Sequence, residues 1–318
     1  MKLLVVALPL WVACTLLPHA GFVATDIDIP APRSDAAGSS IGYSSDSDDF
    51  SVKRASAQYF GSYTDADHKI GVRYGENFYA RQSWSRRGQH LGLVRHHIDA
   101  KTRNGWLVEA GLNQQGSHTL AVADASYRQA LSGATAFELF ANRDYVETVA
   151  GLEAGTHYTF IGASGDVVLS ERVTLVGLVG EQIFSDDNRR SHVRGRLIVQ
   201  PMLDLGLTLQ VRARYFENSK SAGQTAGVYF NPRNYDELML AMGWRQRIAG
   251  WQTKLTVGTG RQHIATGPAV PSKLLEAEAE RKLQNYVVRL RGGFVRSASF
   301  AGPDYRYRHL TVEVILPF

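Results

Sequence analysis

The sequence predicts an all-β protein, a transmembrane antiparallel up-and-down β-barrel of about sixteen strands. Three observations carry this reading. The 318 residues include 30 glycines, 14 tyrosines and 13 phenylalanines against 10 prolines and one cysteine, and β-branched and aromatic residues suit strands better than helices. Apolar and polar residues alternate with a period of two. Short polar turns take turns with longer polar loops, as in a barrel with turns on the periplasmic side and loops outside.

The elements follow in chain order. Met1-Lys2, the uncharged run Leu3 to Leu17 and Pro18-His19-Ala20 predict an export signal over residues 1–20. The run is too short for a helical span of about 20 residues. The only cysteine, Cys14, lies inside it, and Trp11 stands where a lipidation motif wants a small aliphatic residue. A mature chain without cysteine is therefore expected, with no thiolate nucleophile or ligand. Residues 21–38 read as a polar periplasmic lead-in and 39–318 as the barrel.

Expected strands begin at Ser39, Ser51, His68, Gly88, Gly105, His118, Ala134, Gly155, Arg172, Ser191, Gly206, Asn234, Trp251, Ser272, Asn285 and Tyr305. Each needs roughly 9–11 residues to cross a bilayer at a tilt. The last shows the pattern best: Leu310, Val312, Val314, Leu316 and Phe318 share one parity, while His309, Thr311 and Glu313 share the other. An even count puts both termini on the short-turn side. Longer loops are expected at Ser44–Phe50, Glu76–Arg87, Val146–Ala154, Ser185–Arg190, Asn218–Arg233, Ala265–Pro271 and Ala298–Asp304. Trp106, Trp244, Trp251 and Phe318 fall beside short turns, and Phe184, Tyr215 and Phe294 beside long loops, as two interfacial girdles would.

Sixteen strands leave an aqueous lumen. Parity points Arg194, Arg196, Arg212, Arg214, Glu237, Arg245, Glu276, Glu278, Arg289 and Arg291 into it, with Arg73, Glu109, Glu138 and Glu313. The strand from Ser272 sets Glu276, Glu278 and Glu280 beside Arg289 and Arg291, an expected cross-strand ladder. Such rows serve as a polar track for a hydrophilic passenger, or hold the barrel together around water.

Other chemistries leave little trace. A net charge of +5 with Lys and Arg dispersed argues against nucleic acid, which needs a clustered footprint. No catalytic residue is singled out. Gly162-Ala163-Ser164-Gly165 is followed by Asp166, so it fails the G-x-S-x-G spacing. Ser83, Ser126 and Ser164 have no marked histidine partner. His96 and His97 are adjacent and point to opposite faces of a strand, so no metal site or cofactor is expected. Asp46, Asp48 and Asp49 form an acidic loop tip without a calcium-loop glycine.

Three stretches carry a resemblance: IGYSSDSDDFS (41–51), LSERVTLVGLVGEQIFSDDNRRSHVRGRL (169–197) and GVYFNPRNYDELMLAMGWRQRIAGWQ (227–252). The last holds a Y-F-x-P-x-x-Y core of Tyr229, Phe230, Pro232 and Tyr235. The second holds Phe184, Ser185, Asp186, Asn188, Arg189 and Arg190. These resemble the C-terminal barrel domain of bacterial exopolysaccharide-secretion porins, of the cellulose and poly-N-acetylglucosamine type, and related stand-alone barrels. The resemblance implies an outer-membrane barrel of sixteen strands that passes a growing polysaccharide outward, with Tyr229 or Tyr235 available to stack on sugar at the outer mouth. Leu316-Pro317-Phe318 is similar to the C-terminal signal read by the barrel-assembly machinery. Those exporters carry a periplasmic helical-repeat array, for which residues 21–38 leave no room. A separate periplasmic scaffold and an inner-membrane polysaccharide synthase are the partners the resemblance implies. A general or structural barrel, porin-like or adhesin-like, is the alternative, and a lipid-acting barrel hydrolase a more remote one.

Overall fold

The computed structural model describes residues 34–318 apart from 226, 266, 284, 285, 300 and 301; the expected signal segment and most of the lead-in lie outside the described residues. Sixteen strands run in order: β1 (Ser34–Asp46), β2 (Phe50–Tyr63), β3 (His68–Arg81), β4 (Trp84–Ile98), β5 (Gly105–Gln115), β6 (His118–Ala130), β7 (Thr135–Tyr145), β8 (His157–Ser170), β9 (Val173–Phe184), β10 (Arg189–Met202), β11 (Leu207–Asn218), β12 (Asn234–Ile248), β13 (Trp251–Ile264), β14 (Val270–Lys282), β15 (Val287–Ser299) and β16 (Gly302–Pro317). Each pairs antiparallel with its sequence neighbours. β1 closes on β16 from Ala36↔Pro317 to Asp46↔Tyr307, so the barrel is closed. Closure removes the exposed edges that would otherwise be left unpaired. Strand pairing is already present ahead of the expected first strand at Ser39: Ala36 pairs with both Pro317 and Phe60.

Parity decides which face meets which solvent. Ile41, Leu91, Leu93, Val179, Leu238, Leu240 and Leu310 are exposed on the outside. An apolar belt of that extent does not face water; it is the lipid surface of a transmembrane barrel. Tyr43, Tyr215 and Phe294 point outward near one rim. Trp106, Trp244, Trp251 and Phe318 lie toward the other, with Arg95 stacked 4.5 Å over the Trp106 ring. Phe184 departs from the expected girdle. It points inward and is buried, because it lies at the last position of β9, where a loop folds over it.

The strands run from 11 to 16 residues, longer than the roughly 9–11 that span the lipid. This corrects most of the expected loops. Glu76–Arg87 is nearly all ladder, with Arg81 paired to Trp84 around a turn at 82–83. Ser185–Arg190 shrinks to a turn at 185–188. Polar residues past the bilayer still satisfy their backbone groups most cheaply by continuing the hairpin. Turn chemistry agrees with the sequence: Ala249 and Gly250 both take positive φ (49° and 81°) between β12 and β13, as a two-residue hairpin turn requires.

Two connections remain long, 146–156 and 219–233, and both leave the rim opposite the termini. The first contains a short helix, α1 (Val149–Ala154). Thr148 caps its start, accepting from the Gly151 N–H at 2.8 Å, and Gly155 ends it in the left-handed region at φ 67°. A threonine N-cap and a glycine just past the last turn are what a helix of this kind needs.

Candidate functional site

The lumen wall is built by the inward parity of the strands. Arg194 stands opposite Arg214 and Arg196 opposite Arg212 on β10 and β11, so four guanidiniums share one patch of wall. Like charges directly opposite on one face repel, and the structure answers with carboxylates from beyond β11. Glu237 lies 3.5 Å from Arg214, and Glu276 lies 3.8 Å from Arg212 across two intervening strands. Arg245 on β12 is opposite Lys254, whose ammonium is 3.8 Å from Glu278.

The expected ladder between β14 and β15 is present in register, with Glu278 opposite Arg291 and Glu280 opposite Arg289. Arg289 donates to Glu280 at 2.7 Å and to Glu313 at 2.6 Å. From there a chain crosses the far wall: Gln58 donates to Glu313, Arg73 to Gln58, and Arg73 also pairs with Glu109. His96 joins Glu109 at 3.3 Å while His97 turns outward against Trp106, the split that strand parity requires. Arg128 holds Asp166 by two bonds of 2.7 and 3.1 Å, both side chains nearly buried. Arg128→Ala leaves Asp166 without that partner and should cost about 3 kcal/mol, read as a lower midpoint in urea unfolding of the micelle-bound barrel.

Between these walls lies a polar chamber of about 420 Å³, lined by Arg54, Arg73, Glu109, Asp124, Arg143 and Arg291 among others. Glu147, from the connection 146–156, forms part of its roof and accepts from Arg54 at 2.5 Å and from the Tyr79 hydroxyl at 3.1 Å. Among the described residues no group of three or more His, Cys, Asp or Glu is arranged to hold a metal ion. Asp46 spends one carboxylate oxygen on the backbone N–H of Asp48 (2.8 Å) and of Phe50 (3.0 Å), which shapes the acidic turn.

The two long connections form a cap over this lumen. Leu152 of α1 is fully buried in one cluster with Phe50, Tyr79, Leu120, Tyr145 and Tyr305, from β2, β3, β6, β7 and β16. Arg86 donates to the Leu152 carbonyl and Trp84 to Glu153 at 2.9 Å. On the other side, 219–233 lays Tyr229 flat on Phe184 (4.2 Å, 8° between planes), while Phe216 stacks on Tyr235 (4.8 Å, 10°). Phe230 meets Phe216 and Tyr235 edge-on. Arg190 sits 4.7 Å over Phe216 and 5.1 Å over Phe184, and its donors reach Asn218 at 2.8 Å and the Phe230 carbonyl at 2.5 Å. A guanidinium sandwiched by rings is held by their quadrupoles and by polarised carbonyls. Where the two halves meet, the Thr148 hydroxyl donates to the Val228 carbonyl at 2.7 Å.

Asn188 is the hinge pin of the second half. Its amide donates to Asn218 and Asn231, each at 3.0 Å, and its oxygen accepts from Lys220 N–H at 3.0 Å and Ser219 at 3.2 Å. The Tyr229 hydroxyl donates to both oxygens of Asp186 at 3.0 Å. Burial, and then the Asp186 charge, push the Tyr229 phenol well above its ordinary range. A raised pKa means this bond supports the cap fully at pH values below the unfolded phenol's value near 10 and is lost as pH climbs from there through the folded one.

The motif residues thus converge. Phe184, Asp186, Asn188, Tyr229, Phe230, Pro232 and Tyr235 form one cluster, with Asn218 donating to the Pro232 carbonyl at 2.6 Å. Arg189 does not join; it faces outward, 3.9 Å from Glu181. The expected sugar-stacking role is corrected for both tyrosines: their rings are buried, with only 3% and 2% of their surface exposed, and the faces are covered by Phe184 and Phe216. The reading from parity missed Arg190 as the cluster's centre, Asn218 and Asn231 as its polar frame, and α1. The helix was legible in Thr148 and Gly155, seven positions apart around the apolar Val149 and Leu152.

No protein-family model matches the chain, and no curated protein matches it by sequence. In fold it is similar to a bacterial polysaccharide outer membrane secretin, at a TM-score of 0.65 and 12% identity over 92% of this chain and 100% of that one. Two porin structures from Pseudomonas aeruginosa also match: OccD3 (OpdP) at a TM-score of 0.47 and 10% identity, covering 91% and 92%, and OprD at 0.44 and 10%, covering 90% and 94%. The chain has the fold of an outer-membrane β-barrel.

Proposed function

We propose that the protein is a gated outer-membrane channel for small hydrophilic solutes. The observation that supports this most is the cap: two connections from one rim fold inward and meet at Thr148 and Val228, and Glu147 of the first lines a charged chamber of about 420 Å³. A space of that size suits a solute of a few heavy atoms and its water, and ion-pair rows give exchangeable polar contacts without a deep minimum. Opening requires the cap to part where its halves meet, at the Thr148 bond to Val228 and the packing of Val146 in the aromatic cluster. Liposome swelling with full-length protein tests this. Entry of solutes of amino-acid and monosaccharide size is expected, with larger oligosaccharides entering only when residues 220–231 are shortened. Liposomes that stay impermeable with both proteins would make the barrel a sealed structural element.

Polysaccharide export is a second reading. It is favoured by the three resembling stretches, whose residues converge on the cap, and by the fold likeness to the secretin. It asks more of the gate, because an extended polymer needs both halves of the cap displaced at once. A deletion strain grown where polymer is made decides it: loss of surface polymer supports export, and unchanged polymer removes it.

A further inference from the structure

The outer face carries a charge pattern that the lumen does not explain. Lys53 lies three residues from the start of β2, Lys273 three from the start of β14, and Arg261 three from the end of β13. Arg306 and Arg308 lie in the same rim half of β16. All five are exposed and share the parity of the lipid face. Lys53 is opposite Tyr43, which is opposite Leu310; Arg308 is opposite Phe294; Arg261 is opposite Leu238. They sit at the level of the outward Tyr43 and Phe294, where a barrel crosses from hydrocarbon into headgroups.

Elsewhere on this rim, four outward cations are matched. Arg87 pairs with Glu76 at 2.6 Å, Arg189 with Glu181 at 3.9 Å, Arg233 with Glu217 at 3.3 Å, and His263 with Asp236 at 2.8 Å. Among the described residues, Lys53, Arg261, Lys273, Arg306 and Arg308 have no such ion pair. Like charges gathered on one face repel, more so where water thins toward the lipid, and an anion supplied from outside the protein relieves this.

We propose that this patch, running over β13–β16 and on to β2, binds a lipid whose headgroup carries more than one phosphate, seated with its acyl chains along the apolar belt below. Several cations in a strip match several phosphates in one headgroup, whereas a single-phosphate lipid meets only one or two of them. The inference rests on the membrane placement of the barrel and not on what the lumen carries.

The test is lipid titration of full-length protein in detergent, read by native mass spectrometry, with bisphosphorylated lipid A, its monophosphorylated form and phosphatidylglycerol as probes. Wild type is expected to retain bisphosphorylated lipid A about tenfold more tightly than phosphatidylglycerol. The joint variant Lys53→Gln, Arg261→Gln, Lys273→Gln, Arg306→Gln, Arg308→Gln should lose that preference. The pairs Lys53→Gln with Arg308→Gln, and Arg261→Gln with Lys273→Gln, should each lose part of it, which keeps the result readable if the joint variant fails to fold. Equal retention of all three lipids by wild type, or an undiminished preference in both paired variants, would overturn the proposal. A chain that never enters bilayers would overturn the membrane placement as well, whereas a channel that conducts without lipid preference leaves the channel reading standing.

Discussion

Asn188→Leu is expected to unlatch the half of the cap formed by 219–233. The residue is fully buried and makes four hydrogen bonds, to Asn218, Asn231, Ser219 and the Lys220 backbone. Leucine keeps the branching but strands the Asn231 amide oxygen and the Lys220 backbone N–H away from water, and leaves the Asn218 amide oxygen to Arg190 alone. Each unsatisfied group costs about 1–3 kcal/mol, enough in sum to exceed what one face of stacked rings returns. The loop should leave rather than tolerate the loss. Limited proteolysis should then cut within 219–233, where wild type resists, and single-channel recordings should show a larger and longer-lived open state. The barrel itself should stay folded, because its ladder does not pass through Asn188's side chain. Asn188→Leu that resists protease and conducts like wild type would show that the rings alone hold the cap.

Replacing Arg194, Arg196, Arg212 and Arg214 together by alanine should swing the pore toward cations by on the order of tenfold in permeability ratio. These four face one another in register on β10 and β11, and removing them leaves Glu237 and Glu276 without their arginine partners. At a spacing of several ångströms in water each charge contributes a few tenths of a kcal/mol to a passing ion, and four act together. The shift should shrink at molar salt, since screening shortens the reach of each charge. Reversal potentials in asymmetric potassium chloride measure it directly. An unchanged ratio would place the conduction path away from this wall, along the chamber bounded by Arg73, Glu109 and Arg291.

The lipid-crossing part of this protein was legible in its sequence. His68, Gly105, His118, Asn234 and Trp251 begin strands where alternation places them. Glu278 and Glu280 face Arg291 and Arg289 because side chains two apart share a face, and the hairpin turn sets the register. Lipid on one side and water on the other impose a period of two that cannot slip without putting charge into hydrocarbon, so a single strand read alone already reports its orientation.

Only the tertiary structure decided the rest. Past the bilayer, both faces of a strand meet polar surroundings and parity loses its meaning, so Glu76–Arg87 reads as loop although it is ladder. Phe184 reads as a girdle residue although Tyr229, 45 positions later, covers its ring. The cap joins α1 to β2, β3, β6 and β16, and 219–233 to β9–β12, through contacts that no local pattern encodes. Whether a connection folds outward or into the lumen depends on which inward side chains from distant strands wait at the mouth, and that is a property of the closed cylinder.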